Sequence, residues 1–265
     1  MKILVTNDDG IDSPGLFAVK QALESCGRVA VIAPDQNRSA IGRGITIGQS
    51  LNVREVTFPD GGSGFSVDGT PVDCVRLAAL GFLDWQPDIV VSGINLGPNL
   101  GDDITYSGTV AAAFEGIMLG LPAIAVSIER PENWRVQEGE FHFGTVAAFT
   151  ARMAEKLREN GLPGTILLNV NAPNLPAGEV RGAEVTRLGK RIYRDQLVEE
   201  PGEGDGHRRY HIYGDDPSYH VEEGTDFHAL NLKKISVTPI HFALTNLAGM
   251  EIVRDWNLDE LVPQP

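Results

Sequence analysis

Two adjacent carboxylates, Asp8 and Asp9, follow the first apolar run of the chain, Lys2 to Thr6. A short run such as Ile3-Leu4-Val5 reads as a buried strand, and the turn Asn7-Asp8-Asp9-Gly10 leaves it at its carboxyl end. That end is where open α/β sheets bind ligands. Two carboxylates side by side repel unless a proton or a cation lies between them. A hard divalent ion suits them, because Mg²⁺, Mn²⁺ and Ca²⁺ all prefer oxygen ligands. Asp-Gly is also an ordinary turn dipeptide and Asp an ordinary helix cap; the position directly after a first strand favours the metal.

Other segments add donors of the same kind. The loop 34–44 follows a second strand and offers the Ser39 hydroxyl as a ligand, Asn37 for the substrate phosphate, and the cation Arg38. The Gly/Asn-rich stretch 93–101 follows a third and offers Asn95 and Asn99. Asp8, Asp9, the Ser39 hydroxyl and the Asn95 amide oxygen together form a hard donor set. No His-Glu-x-x-His or Cys/His pattern for zinc occurs. In Tyr106-Ser107-Gly108-Thr109-Val110, Ser107, Gly108 and Thr109 open a helix, where N–H groups and the positive helix end form a phosphate cradle. A plain Ser/Thr cap is the commoner use of such a start, and the neighbouring Gly/Asn loop shifts the balance toward phosphate. Asn99 is placed to bridge the metal and phosphate ends, or else to form a turn. Arg38 and Arg43 are the nearest cations to Ser39, as suited to a solvated loop as to substrate. The histidines are scattered, and His241 is as fit for a structural role as for a catalytic one.

The elements needed to position these residues follow from the pattern. Ser13-Pro14 starts a helix that ends near Cys26-Gly27, and Arg28 to Ala33 is the next strand, so the chain opens as a βαβ unit. It lacks the Gly-x-Gly-x-x-Gly turn of a dinucleotide site. Residues 45–67 read as a β-hairpin excursion. A helix runs from Thr70-Pro71 to about Phe82, a strand from Asp88 to Ser92, a helix from Val110 to Leu119 and a strand from Ala123 to Ile128. A long helix covers about Phe141 to Asn160, and Thr165 to Val170 is a further strand. Four loops then meet at one edge of a mostly parallel sheet. From about 172 the chain becomes more charged, with short strands at 184–187, 210–213 and 235–239. This division gives an α/β core over 1–171 and a β-rich C-terminal arm over 172–265, able to pack on its own core or exchange with another subunit.

Composition limits the function. The chain has 265 residues and a formal net charge of −14, a poor fit to a nucleic-acid backbone that demands Lys and Arg. A metal can supply the positive charge that an anionic substrate needs and the surface lacks. No apolar stretch is long enough to span a membrane, and the start lacks the apolar core of a signal peptide. Cys26 and Cys74 read as small core residues, so a reducing cytoplasm is the expected location.

The blocks resemble those of the SurE (survival protein E) nucleotidases. Asn7-Asp8-Asp9-Gly10-Ile11 with Pro14-Gly15, Ala33-Pro34 with Ser39-Ala40, and Ser92-Gly93-Ile94-Asn95 with Gly97 and Asn99 match in order and spacing. So do Tyr106 to Ala113, Gly224-Thr225-Asp226 and Thr238-Pro239. The match is weaker over 131–139 and 199–206. The resemblance implies a Rossmann-like three-layer core and hydrolysis of nucleoside 5′- or 3′-monophosphates, with exopolyphosphatase activity as a further expectation. It implies one divalent ion per subunit, Mg²⁺ or Mn²⁺ with Ca²⁺ as a third candidate, on Asp8, Asp9, Ser39 and Asn95. It also implies phosphate binding at Ser107, Gly108 and Thr109, and homodimers or homotetramers built through the C-terminal arm.

The expected chemistry is metal-assisted phosphomonoester hydrolysis, with Asp8 and Asp9 as the catalytic carboxylates and Ser107, Thr109 and backbone amides stabilising the phosphoryl oxygens. Two alternatives stay open at this level. Response-regulator receivers also carry an early acidic pair, but their acceptor Asp would fall at Gly93. A metal-dependent nucleoside hydrolase would release free base instead of phosphate.

Overall fold

The computed structural model describes residues 1–131, 140–200, 208–214 and 218–263. The segments at 132–139 and 201–207, which largely coincide with the weaker stretches of the family match, lie outside the described residues. One sheet carries the fold. Its strands are β1 (Lys2–Thr6), β2 (Arg28–Pro34), β3 (Val53–Thr57), β4 (Ser63–Val67), β5 (Ile89–Leu96), β6 (Ala123–Ile128), β7 (Ile166–Ala172), β8 (Ala183–Val185) and β13 (Ile235–His241). They lie in the order β3-β4-β2-β1-β5-β6-β7-β13-β8. The central block from β4 to β7 is parallel throughout, and β3 and β13 join it antiparallel.

Helices cover both faces, which is why β1, β5 and β6 read as unbroken apolar runs. α1 (Pro14–Leu23) and α4 (Phe143–Asn160) pack Leu16, Val19, Val146 and Ala151 over Ile3, Val5 and Val91. α2 (Pro71–Leu77) and α3 (Gly108–Met118) pack Val75, Val110 and Ala113 over Leu4, Val90 and Ala125. The expected three-layer α/β architecture with a mostly parallel sheet is therefore present. The start of α2 is fixed by a reciprocal cap: Thr70 Oγ1 accepts from the Asp73 N–H at 3.2 Å, and Asp73 Oδ2 accepts from the Thr70 N–H at 2.9 Å.

Several boundaries differ from the sequence pattern. The hairpin is confined to β3 and β4, and 45–52 forms no strand. β5 runs on through Gly93 to Leu96 with a register shift after Ser92, so half of the expected glycine-rich loop is strand. The break expected at 171/172 is not a break in the sheet. β13 pairs with β7 from Ser236↔Asn171 to His241↔Ile166, and it buries apolar residues toward both faces: Ile235 and Val237 on the α1/α4 side, Ile240 on the α2/α3 side. Beyond β8 and β13, the C-terminal part lies outside the main sheet. It holds the two-stranded pairs β9 (Arg191–Ile192) with β12 (Ser218–Tyr219) and β10 (Asp195–Glu200) with β11 (Arg209–Gly214). The helices α5 (Asp226–Asn231) and α6 (Leu247–Arg254) complete it.

Candidate active site

The turn after β1 is held from within and from the next loop. Asn7 Nδ2 donates to the Gly10 carbonyl at 2.9 Å, and Asn7 Oδ1 accepts from the Gly10 N–H at 3.3 Å. Gly10 has φ +102°, a conformation open to glycine at no steric cost. The Arg38 N–H donates to the Asp8 carbonyl at 2.7 Å, and the Ile11 N–H to the Pro34 carbonyl at 2.8 Å. The loops after β1 and β2 thus form one unit.

Asp8 is only 3% exposed. Its Oδ1 accepts from the Thr109 hydroxyl at 2.5 Å, and the Gly108 and Thr109 amides at the start of α3 also donate to it. Burial pushes its pKa up, against those hydrogen bonds. Asp9 accepts from the Leu96 N–H at 3.0 Å and from Asn37 Nδ2 at 3.4 Å. Burial, with the neighbouring Asp8 charge, raises its pKa to about 6, against the Leu96 amide and Arg130. The two carboxyls resist ionising together, as a site that a cation completes should.

A cavity of about 790 Å³ opens beside them, lined by Asp8, Ser39, Asn95, Gly97, Asn99 and Ser107 among others. Asp9 and Asn37 line a second cavity of about 280 Å³, which shares Leu96 with the first. Ser39 is exposed at the cavity mouth, its N–H bonded to Asn37 Oδ1 at 2.9 Å. Asn95 Nδ2 donates to the Gly97 carbonyl at 2.6 Å, which leaves Oδ1 as its remaining polar atom. Among the described residues no group of three or more His, Cys, Asp or Glu is arranged to hold a metal. The set that fits a hard cation is the mixed one: two carboxylates, a hydroxyl and an amide oxygen.

The expected phosphate segment divides its work. Ser107 caps α3, its Oγ accepting from the Val110 N–H at 3.1 Å, and it reaches the cavity. Thr109 does not line the cavity; it is fully buried and its hydroxyl is directed to Asp8. A Cβ on Gly108 would lie 2.7 Å from Asp8 Cβ, so a side chain there would push α3 away from the carboxylate. Asn99 lines the cavity but is anchored from behind. Its N–H donates to Asn171 Oδ1 at 2.7 Å, its Nδ2 to Ser127 Oγ at 2.8 Å, and its carbonyl accepts from Asn169 and Asn171 at 2.9 Å each.

The two arginines near Ser39 do not line the cavity. Arg38 binds Asp35 at 3.2 Å and the Asp68 carbonyl at 2.8 Å. Arg43 and Arg76 hold the buried Glu115 of α3 at 2.5 and 2.7 Å. The cavity instead presents Arg130 and Arg191, with Asp103, Tyr106 and Glu129. Arg130 Nε donates to the Leu96 carbonyl at 2.9 Å, and Arg191 pairs with Asp103 at 2.5 Å. Burial raises the Glu129 carboxyl to about 7, opposed by the Asn174 N–H. Glu129 and Arg130 directly follow β6, so their place after a fourth parallel strand was the signal available for them. Arg191 reaches the site from a two-residue strand with no such signal.

This geometry has relatives. Residues 3–195 match the family model described as survival protein SurE. A 5′-nucleotidase SurE of Rubrobacter xylanophilus is 54% identical, with 99% of each chain covered. One from Pelobacter propionicus is 46% identical over 97% of this chain and 99% of its own. The crystal structure of the SurE protein from Aquifex aeolicus superposes with a TM-score of 0.80 at 40% identity, covering 97% of this chain and 99% of that one. With the Asp8-Asp9 turn, the Ser39 loop and the Ser107 helix start all inside the matched span, the chain belongs to the survival protein SurE family.

Proposed function

We propose that this protein is a metal-dependent phosphomonoesterase that hydrolyses nucleoside monophosphates, a 5′-nucleotidase with 3′-nucleotides and short polyphosphates as further substrate classes. The observation that carries the reading is the Asp8-Asp9 pair at the end of β1, with Asp8 fixed by the start of α3 and both pKa values raised. The names of the relatives point the same way. Asp8, Asp9, Ser39 and Asn95 are the residues to hold one Mg²⁺ or Mn²⁺. When bound, such an ion supplies a Lewis acid for a phosphoryl oxygen and an acidified water as nucleophile. Asp8 and Asp9 would hold that ion as its two charged ligands; a ligand carboxylate is a weak base, so activation of the water would be the ion's contribution. The Ser107 hydroxyl, its oxygen already accepting from Val110, is free to donate its proton to the phosphate. Thr109 and Gly108 act one step back by orienting Asp8.

Gly93 speaks against a receiver module. Its φ is +130° and a Cβ there would lie 2.1 Å from the Val126 carbonyl oxygen, so no acceptor Asp fits. For the finer properties we propose a homodimer or homotetramer formed through the C-terminal arm, and a reducing cytoplasmic location in keeping with the free thiols Cys26 and Cys74.

The test is one nucleotide panel read for both phosphate and free base, with Mg²⁺, Mn²⁺ or chelator, on wild type and Asp9→Ala. Phosphate release that needs the cation and falls at least about 100-fold in Asp9→Ala is expected. Near-normal turnover by the variant would remove Asp9 from the metal site, and base release would establish a nucleoside hydrolase.

A further inference from the structure

We propose that Glu129 is the sugar-recognition residue of the cavity, accepting hydrogen bonds from the ribose hydroxyls and setting a preference for ribonucleotides over deoxyribonucleotides. The assignment rests on the nucleotidase reading. Asp8, Asp103 and Glu129 are the carboxylates that line the cavity. Asp8 is engaged by Thr109 and the start of α3. Asp103 is engaged by Arg191 and the Tyr193 hydroxyl. Glu129 meets only the Asn174 N–H among the described residues, which leaves acceptor capacity facing the cavity.

Its position matches a sugar. β5 and β6 pair Asn95↔Ser127 and Leu96↔Ile128, and the Gly97 N–H continues that pairing to the Ile128 carbonyl at 3.0 Å. Glu129 therefore lies one strand across and two residues along from Asn95, about 8 Å between Cα atoms by strand geometry. A phosphate held near Asn95 places its ribose over that distance. The two-residue strand period puts Glu129 on the side of Ser127, the residue that anchors Asn99 beneath the cavity. The backbone here is fixed by the Glu129 N–H, which donates to the Ala172 carbonyl at 2.9 Å. When ionised, as it is above its pKa of about 7, the Glu129 carboxylate is acceptor-only and takes two vicinal hydroxyls, which a 2′,3′-dideoxy sugar cannot offer.

The experiment compares kcat/KM for AMP, 2′-deoxy-AMP and 2′,3′-dideoxy-AMP in wild type, Glu129→Gln and Glu129→Ala. The readout is the ribo-to-deoxy ratio, with the dideoxy substrate as its outer limit. It should fall about tenfold or more in Glu129→Ala, the worth of hydrogen bonds to a charged group. Gln keeps one acceptor oxygen and should give an intermediate ratio, which decides the matter if the Ala variant does not fold. A merely structural role lowers all three substrates in parallel; an unchanged ratio therefore overturns the assignment. Wild type that cleaves p-nitrophenyl phosphate but none of the three nucleotides overturns the nucleotidase reading, and the assignment with it.

Discussion

Asp8 is held by a buried hydroxyl, and that dependence is open to measurement. Thr109→Val keeps the shape and removes the donor, leaving a carboxylate with one hydrogen bond fewer. A hydrogen bond to a charged group is worth about 1.5–3 kcal/mol, and a partner behind a metal ligand about 10–100-fold in cation affinity. Thr109→Val should therefore need more Mn²⁺ for half-maximal activity, while Thr109→Ser stays near wild type; equal cation titrations would detach Thr109 from the site. The acidic pair also predicts a pH dependence. The folded pKa of Asp9 is about 6 and that of Asp8 is also raised, so the folded state binds their protons more tightly than the unfolded chain. Stability without metal should fall as pH rises from about 4 through about 6 and stay low above, as far as these groups decide it. A bound cation replaces the protons, so its stabilising effect should grow over the same range. Thermal melts with saturating Mn²⁺ should show a gain of about 5 °C or more at pH near 7.5 and little at pH near 5. Equal gains at the two pH values would place the cation elsewhere.

At the scale of elements, the site depends on how close α3 comes to β1. Gly108 permits that approach, since a Cβ there would meet Asp8 atoms at 2.7–2.8 Å. In most helices Gly→Ala is neutral or stabilising through the unfolded state. Here Gly108→Ala should cost about 1–3 kcal/mol in denaturant unfolding and lower turnover with it. A variant of unchanged or higher stability would show that the helix start has room. The same elements show what the sequence made legible. Largely buried parallel strands write themselves as apolar runs, so β1, β2, β5 and β6 were readable. The extension of β5 was not, because Gly93 and Asn95 carry turn chemistry while their backbone pairs with β6. Arg38 and Arg43 stood near Ser39 in sequence, yet Asp35, Asp68 and Glu115 hold them away, and Arg130 and Arg191 come from other strands. Side-chain pairing across the fold carries no local pattern to read. The entry of β13 into the central sheet was hidden likewise, since pairing with β7 is long-range and a proline at position 239 argues against a sheet interior.

At the scale of the whole molecule, the end of the C-terminal arm leaves apolar side chains uncovered. α6 buries none of its residues, and Leu247 and Ile252 are 72% and 63% exposed. Trp256, Leu258 and Leu261, which follow it in the chain, are exposed at 61%, 50% and 70%. A helix of eight residues is unstable in water without tertiary packing, because nucleation outweighs so few hydrogen bonds. An apolar surface of this extent is unusual on a monomer and marks an interaction surface. A second copy of the chain supplies a matching surface at equal concentration, and two-fold pairing lets the arm of each subunit cover the other. Light scattering should then give a mass that is an even multiple of the 28.6 kDa chain. Replacing Ile252 and Trp256 together by Glu should bring the mass down to that of one chain, with α6 losing helicity in the same step. The nine-stranded sheet and the cavity beside Asp8 do not include α6, so cation-induced stabilisation should survive in the monomer. An intact chain that scatters as a monomer would leave the arm without its proposed role, and a monomeric variant that no longer responds to cation would tie the arm to the site itself.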